Sequence, residues 1–254
     1  MLTAERKQAI LGKIRREGRL VAKEFAAEHG LSEDTIRRDL RELAAERLLE
    51  RVHGGALPIT PGLPDFVERK EIAAAEKRAL AARAVRLIPP GALVFLDGGT
   101  TNEALVAALP KAVSLRIATH SPTIAAALVA YPDVEVWLIG GRLYRHSMVA
   151  IGAAAAEAIG RLRPDLFFLG ATAVHPGAGL TTGDPDEAAI KRLIASQARE
   201  TFVMATAAKL DRVSPHAILP LDRVRGLVLS AGVAADAQAR YRAAGVEVIP
   251  TDQT

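Results

Sequence analysis

The sequence predicts a small all-α winged helix-turn-helix domain at residues 1–57, followed through a connector at 58–70 by an α/β domain with a mostly parallel sheet at 71–254. Three features predict this. The first 56 residues hold capped or glycine-ended helical patterns and a Gly-Gly turn. Pro58, Pro61, Gly62 and Pro64 then form a stiff stretch. From about residue 71, apolar runs of strand length alternate with Ala-rich helical patterns, as in a parallel sheet covered on both faces.

In the first domain, Thr3 can cap a helix whose apolar residues Ile10, Leu11 and Ile14 share one stripe before Gly18 ends it. Leu20-Val21 is a short extended piece. A second helix over 22–29 turns Phe25 inward and stops at Gly30. Ser32 can cap a third, with Glu33 and Asp34 in the first turn, where the helix dipole favours acids. Residues 50–56, Glu-Arg-Val-His-Gly-Gly-Ala, then read as a hairpin, the wing.

The third helix, Ser32 to Leu43, carries the sharpest pattern. Ile36, Leu40 and Leu43 make a narrow apolar stripe, and Arg37, Arg38 and Arg41 share the opposite face. Guanidinium groups on such a face can fork onto guanine edges or pair with phosphates, and Ser32 and Thr35 at the helix start suit phosphate contacts. An ordinary amphipathic helix would instead pair these arginines with Glu33, Asp34 and Glu42. The order of helix, glycine turn, capped helix and hairpin favours the groove-reading alternative.

In the second domain a helix is expected at 73–87, and strands at 92–96, 115–118, 134–139, 165–170, 201–205, 226–230 and 246–249. Helices are expected between them at 102–109, 123–130, 153–160, 186–199 and 234–244. Phe95-Leu-Asp-Gly-Gly-Thr-Thr-Asn-Glu103 runs a buried strand into Gly98-Gly99-Thr100-Thr101 and then a helix. That arrangement offers backbone N–H groups and hydroxyls to an anion. A plain strand-to-helix turn with a threonine cap reads the same residues equally well. In a doubly wound sheet the loops Thr119-His120-Ser121, Gly140-Gly141-Arg142 and Gly170-Ala171-Thr172 would converge on the same place.

Composition narrows the function classes. The chain has 254 residues, half of them hydrophobic and only 4% aromatic, so its cores are aliphatic and Ala-rich. It has no cysteine, which excludes disulfides, thiolate metal sites and a cysteine nucleophile. Neither a signal-peptide core nor an 18-residue apolar run occurs, so no membrane partner and a cytoplasmic location are expected. The net charge of +4 divides evenly: residues 1–56 hold 12 Lys/Arg against 10 Asp/Glu, and the remainder 21 against 19. Bulk charge therefore does not mark the first domain, and placement on the helix face has to. No cofactor, metal site or catalytic set is expected.

Two stretches carry a family resemblance. Leu31-Ser-Glu-Asp-Thr-Ile-Arg-Arg-Asp-Leu-Arg-Glu-Leu43, followed by Leu48-Leu49-Glu-Arg-Val-His-Gly-Gly-Ala56, resembles the signature of the DeoR family of bacterial sugar-metabolism regulators. The resemblance implies that Ser32, Thr35, Arg37 and Arg38 face double-stranded operator DNA, with Arg51 and His53 on the wing beside the backbone. Asp97-Gly-Gly-Thr-Thr101, Ile139-Gly-Gly-Arg142, Gly179-Leu-Thr-Thr182, Glu187-Ala-Ala-Ile-Lys191 and Lys209 resemble that family's effector domain. Such a domain is similar in fold to ribose-5-phosphate isomerase and typically senses phosphorylated sugars. The implied phosphate contacts are Gly98, Gly99, Thr100 and Thr101, with Arg142 and Lys209 as charged partners; together with the converging loops and the matching motifs, the candidate effector residues are Asp97, Gly98, Gly99, Thr100, Thr101, His120, Ser121, Gly141, Arg142, Glu187, Lys191 and Lys209. The chain departs from the family at two loops. Thr119-His120-Ser121 stands where Thr-Asn-Ser is usual, and Thr206-Ala207-Ala208-Lys209 where Asp-Ser-Ser-Lys is usual.

The expected function is a transcriptional regulator, a repressor of a carbohydrate operon released by a phosphorylated sugar, acting as a homo-oligomer (dimer or tetramer). The alternative is a sugar-phosphate isomerase-like enzyme with an attached DNA-binding domain. Isomerisation needs a carboxylate base with polar support. The isomerases' acidic cluster would fall in Gly170 to Gly177, which here holds no carboxylate, so binding without turnover is preferred. A helix-turn-helix that docks a protein partner is the third class, separable by replacing Arg37 and Arg38.

Overall fold

The computed structural model describes residues 3–46, 48–52, 54–57 and 66–252. The first domain contains α1 (Thr3–Glu17), β1 (Leu20–Val21), α2 (Ala22–His29), α3 (Glu33–Ala45), β2 (Glu50–Val52) and β3 (Gly55–Leu57). Its core is one cluster in which Ile10 and Ile14 of α1, Phe25 of α2, and Ile36, Leu40 and Leu43 of α3 meet Leu49 and Ala56. The three strands form an antiparallel sheet in the order β1-β3-β2, so the wing pairs back onto Leu20 and Val21. Gly55 is required there, because a Cβ on it would stand 1.9 Å from the Leu20 carbonyl oxygen. His53 and the Pro58–Pro64 connector lie outside the described residues.

A buried ion pair fixes the third helix to the first. The Arg6 guanidinium donates through Nε and a terminal nitrogen to the Asp39 carboxylate, and both side chains are almost fully buried. Arg6 titrates above its ordinary value chiefly because of the hydrogen bond to Asp39. Asp39 thus serves the fold from within the Thr-Ile-Arg-Arg-Asp-Leu run, and leaves Arg37 and Arg38 outside. Losing one partner of such a pair costs about 3–5 kcal/mol.

The second domain begins with α4 (Phe66–Glu71), inside the stretch expected to be connector. Phe66 is buried, and Lys70 pairs with Glu103 at 3.1 Å, so this single turn is docked on the domain. There follow α5 (Ala74–Val85), β4 (Leu93–Leu96), α6 (Thr100–Ala108), β5 (Leu115–Thr119), α7 (Pro122–Leu128), β6 (Val134–Leu138), β7 (Arg142–Tyr144) and β8 (Val149–Ile151). After them come α8 (Ala153–Gly160), β9 (Leu166–Leu169), β10 (Ala173–His175), β11 (Gly179–Thr182) and α9 (Pro185–Gln197). The chain ends with β12 (Glu200–Ala205), β13 (His216–Leu219), β14 (Gly226–Leu229), α10 (Ala235–Ala243) and β15 (Glu247–Pro250).

The seven strands expected from apolar runs form one sheet in the order β15-β14-β12-β9-β4-β5-β6, all neighbours parallel. Alternate residues of each strand fill opposite cores. Val94, Leu96, Phe168 and Val228 pack with Leu80, Leu105 and Ile124 of α5–α7. Phe95, Phe167, Leu169 and Leu227 pack with Ile159, Ile194 and Tyr241 of α8–α10. Two antiparallel pieces lie outside the expected strands: the β7–β8 hairpin and the sheet β10-β11-β13. Each of their strands has only three or four residues, too few to show alternation.

The strand order places the site. From β4 the chain proceeds outward through β5 and β6, and from β9 outward the other way through β12, β14 and β15. The C-terminal ends of β4 and β9 therefore flank the topological switch point, where open α/β sheets bind ligands.

Candidate functional sites: a winged helix and an anion cleft

On α3, Ser32 is the N-cap, its Oγ accepting from Thr35 N at 3.2 Å and lying 2.8 Å from Thr35 Oγ1. Arg37, Arg38 and Arg41 are exposed on the face away from Ile36, Leu40 and Leu43. Arg37 donates to Glu33 Oε1 at 2.7 and 3.1 Å, an i,i+4 pair. Arg41 reaches the Arg37 carbonyl at 3.4 Å, and Arg38 makes no ion pair among the described residues. An exposed pair like Arg37–Glu33 is worth little, so it does not prevent the guanidinium from turning to another partner. Arg51 on the wing is also exposed, and with Arg37, Leu40 and Val52 it lines a shallow recess between α3 and the β2–β3 turn. Thus α3 and the wing present arginines side by side.

The second site centres on Asp97, the residue after β4, which is completely buried. Its Oδ1 accepts from Gly98 N and from His120 Nε2, both at 2.8 Å. Its Oδ2 accepts from Gly170 N at 2.8 Å and Lys191 Nζ at 2.9 Å. One carboxylate thereby ties together the ends of β4, β5 and β9 and helix α9. Burial alone would push the Asp97 carboxyl up. Lys191 and His120 outweigh that and hold it well below the usual carboxylate range. His120 completes the span by donating from Nδ1 to the Ala150 carbonyl at 2.9 Å. Asn102 locks the same junction, donating to the carbonyls of Asp97 and Phe168, each at 3.0 Å.

Lys191 is buried on α9 and also pairs with Glu187 at 3.3 Å. Glu187 accepts from the Thr182 hydroxyl through its other oxygen. Burial would raise the Glu187 carboxyl, but the Lys191 charge reverses this and lowers it. Asp184 caps α9, accepting from Glu187 N at 2.8 Å, which sets the helix register that puts both residues inward. Gly170 must stay small, since a Cβ there would meet the Gly98 carbonyl at 2.9 Å and Asp97 Oδ2 at 3.3 Å.

Above this floor lies a cleft of about 240 Å³. The turn Gly98–Asn102 lines it at the start of α6, with Gly99 at φ +106°. Glu187, Lys191 and Lys209 also line it, as do Arg69, Lys77 and Arg212. Lys209 donates to the Ala171 carbonyl at 2.8 Å. Desolvation, with the charges of Lys191, Arg69 and Lys77, pushes Lys209 down to about 8. Lys209 therefore loses its positive charge as pH rises through about 8, and anion affinity should weaken above that pH. A phosphate monoester completes its second ionisation near pH ~6, so a decline in calorimetric affinity between pH ~7 and ~9 reports the lysine. A flat profile over that range would remove Lys209 from the anion contacts.

The predicted effector residues thus fall in three places. Gly98, Gly99, Thr100, Thr101, Glu187, Lys191 and Lys209 line the cleft. Asp97, His120 and Ser121 are buried and absent from its lining, with Asp97 and His120 bonded beneath it. Arg142 and Gly141 are not brought to it. Arg142 is exposed and pairs with Asp186 at 2.9 Å. Gly141 fits a close approach instead, since a Cβ there would stand 2.8 Å from the Ile151 carbonyl oxygen. The reason is the β7–β8 hairpin, which carries Arg142 along a strand. Arg69, Lys77, Arg212 and Asn102 join the lining without having been predicted. Asn102 directly follows the Gly-Gly-Thr-Thr turn, and that adjacency is a usable signal. Arg69 and Lys77 sit among ordinary helical charges and carry none.

A winged helix with an arginine face, joined to a sheet domain with a cationic cleft at its switch point, defines a DNA-binding regulator with a sensor domain. A family model for the DeoR-like helix-turn-helix domain matches residues 6–61, and one for the DeoR C terminal sensor domain matches 72–231. The chain belongs to the DeoR family. It is 38% identical to the HTH-type transcriptional regulator GlpR of Haloferax volcanii, over 98% of each chain. It is 32% identical to the glycerol-3-phosphate regulon repressor of Escherichia coli K12, over 84% of each. Among solved structures, ribose 5 phosphate isomerase A from Neisseria gonorrhoeae matches with a TM-score of 0.40 at 17% identity, over 56% of this chain and 54% of that one. No helix among the described residues is long and apolar enough to cross a membrane.

Proposed function

We propose that this chain is a transcriptional repressor of a carbohydrate operon that grips double-stranded operator DNA with α3 and the wing, and is released by a phosphorylated sugar. The observation that carries the DNA half is the outward face of α3, where Arg37, Arg38 and Arg41 lie opposite the buried stripe, with Ser32 and Thr35 at the start of the helix. Arg51 extends that face onto the wing. Family membership and the relatives' names as regulators and repressors support the same reading.

The sensor half rests on the cleft. The amides of Gly99–Thr101 and the hydroxyls of Thr100 and Thr101 at the start of α6, facing several cations, suit a phosphate group. Sensing fits the site better than turnover. Glu187 is the only carboxylate lining the cleft among the described residues, and it is tied to Lys191 and Thr182 with its pKa lowered. A carboxylate held that way is a weak proton acceptor for isomerisation.

A route between the halves is visible in the segment after β12. Thr206, Ala208, Lys209 and Arg212 line the cleft, and the next residue, Val213, packs against the end of α1. A Cβ on Gly18 would stand 2.5 Å from Val213 Cγ2 and 3.2 Å from His175 Nδ1. A ligand that moves this segment would bear on the DNA-binding domain, which gives effector and DNA a physical basis for mutual exclusion. A homo-oligomer, dimer or tetramer, would pair two winged helices on repeated half-sites. Exposed Trp137 and Leu138 on the edge strand β6 offer a surface for such assembly.

The test separates the halves. Thr100→Ala with Thr101→Ala should leave operator affinity within about 2-fold, because both belong to the sensor domain and not to the winged helix. It should abolish release by whichever sugar phosphate frees the unmodified protein. Loss of DNA binding in this variant would mean that these threonines serve the fold and that the cleft assignment is wrong.

A further inference from the structure

The charge of the cleft exceeds what one phosphate can balance. Among the described residues five cationic side chains line it, Arg69, Lys77, Lys191, Lys209 and Arg212, against the single carboxylate of Glu187. Adding Asp97 beneath the floor still leaves the cationic side chains of the lining outnumbering the carboxylates. A phosphate monoester carries about −1.5 to −2 at neutral pH.

Lys77 is the sharpest part of this excess. It is 7% exposed, it faces the cleft from the first turn of α5, and among the described residues it has no ion-pair partner. Its ammonium donates to the Arg69 carbonyl, which uses one of three donors. Desolvation, and then the charge of Arg69, lower its pKa against the smaller opposing pull of Glu103, Glu71 and Glu76, none of which makes an ion pair with it. A buried cation without a counterion costs stability, and proteins keep such groups where something else supplies the charge.

Lys209 is the matching cation across a shared support. Glu76, beside Lys77 on α5, accepts from Ala207 N at 2.8 Å and from the Ser230 hydroxyl at 2.6 Å. That carboxylate pins α5 to the 207–209 turn and so holds Lys77 and Lys209 as one wall. Lys209, too, makes no ion pair among the described residues, and segment 206–208 contributes no acid. Lys191 differs from both, because Asp97 and Glu187 already neutralise it.

We infer that Lys77 and Lys209 form a second anion subsite, distinct from the Gly98–Thr101 turn, and that the effector is a sugar derivative with two anionic groups. This rests on the sensor reading above and narrows it. The second group is a phosphate or a carboxylate, since either meets two ammonium groups equally.

Calorimetry on the full chain at neutral pH and physiological salt tests this with fructose 1,6-bisphosphate, 6-phosphogluconate and fructose 6-phosphate. At least one of the two doubly anionic compounds should bind about 10-fold or more tighter than fructose 6-phosphate. Tighter binding of the bisphosphate alone would assign the second group as phosphate, and of 6-phosphogluconate alone as carboxylate. Lys77→Met should erase that advantage while leaving fructose 6-phosphate affinity within about 3-fold, and Lys77→Arg should restore it. Without ligand, Lys77→Met should melt no lower than the unmodified protein, because it removes an uncompensated buried charge, whereas a structural lysine would lower the melting point. Lys209→Met should likewise cut the affinity for the doubly anionic compound more than that for fructose 6-phosphate, and serves if Lys77→Met does not fold. Equal affinity for singly and doubly anionic compounds, or an equal loss of both in Lys77→Met, would overturn the second subsite and leave the sensor reading intact. Failure of all three compounds and of inorganic phosphate to bind would overturn both.

Discussion

Asp97→Ala is expected to lower the melting temperature of the sensor domain by about 10 °C and to abolish phosphate-dependent ligand binding. The carboxylate accepts from Gly98 N, Gly170 N, His120 and Lys191, all at 2.8–2.9 Å, with no solvent to replace it. Removing it leaves a buried lysine and a buried imidazole facing a void. Breaking a buried charge pair in this way costs about 3–5 kcal/mol. For a domain of this size each kcal/mol moves the midpoint by roughly 2–4 °C. Binding fails because the Gly98–Gly99 amides lose the group that orients them. The pH dependence has a definite sign. A carboxyl whose folded value is depressed contributes its full stability above its unfolded value, near ~4. That contribution is lost as pH falls toward the folded value. The unmodified protein should therefore lose more stability than Asp97→Ala on acidification below about pH 4. Parallel acid profiles measured by calorimetry would show that Asp97 carries no such charge interaction.

Arg37→Ala with Arg38→Ala is expected to weaken operator binding by about 10²–10⁴-fold, with no fall in melting temperature. Both side chains are exposed, and the only ion pair between them and described residues is Arg37 with Glu33 on the same helix. Alanine favours helix, so the fold does not suffer. Each lost guanine contact costs about 1–3 kcal/mol and relaxes specificity at one base pair, whereas a lost phosphate contact weakens all sequences alike and reduces the salt slope by about one. Anisotropy measured against both salt and sequence therefore distinguishes which of the two arginines reads bases. The Arg6–Asp39 pair supplies the contrast. Replacing Asp39 should also lower DNA affinity, but through unfolding, and so with a fall in melting temperature.

The fold is legible in the sequence where local pattern decides it. The inner sheet strands β14, β12, β9, β4 and β5 are largely apolar runs buried on both faces, and buried parallel strands cannot hide that signature. The stripe Ile36, Leu40, Leu43 likewise fixes which face of α3 is free. The Gly98–Thr101 turn is readable because glycine and threonine after a strand have a local meaning. What cannot be read depends on partners far along the chain. Asp39 looks like one more helix-surface acid until Arg6, 33 residues earlier, closes on it. Lys77 looks like one more helix-surface lysine until the fold buries it. Arg142 follows a Gly-Gly loop in sequence, yet a three-residue strand carries it toward Asp186 on the surface. The helical turn at Phe66–Glu71 is hidden by the proline-rich stretch before it, since its stability comes from burying Phe66 and not from local propensity.

The proposed regulatory mechanism rests on sequence-specific DNA recognition by α3. Selection from a random duplex library by the full chain, run beside the Arg37→Ala, Arg38→Ala variant at physiological salt, addresses it directly and needs no known operator. One half-site should be enriched, occurring as a repeat or a palindrome, and the variant should lose that enrichment. No enriched motif, or the same motif enriched with undiminished affinity by the variant, would contradict recognition by this helix.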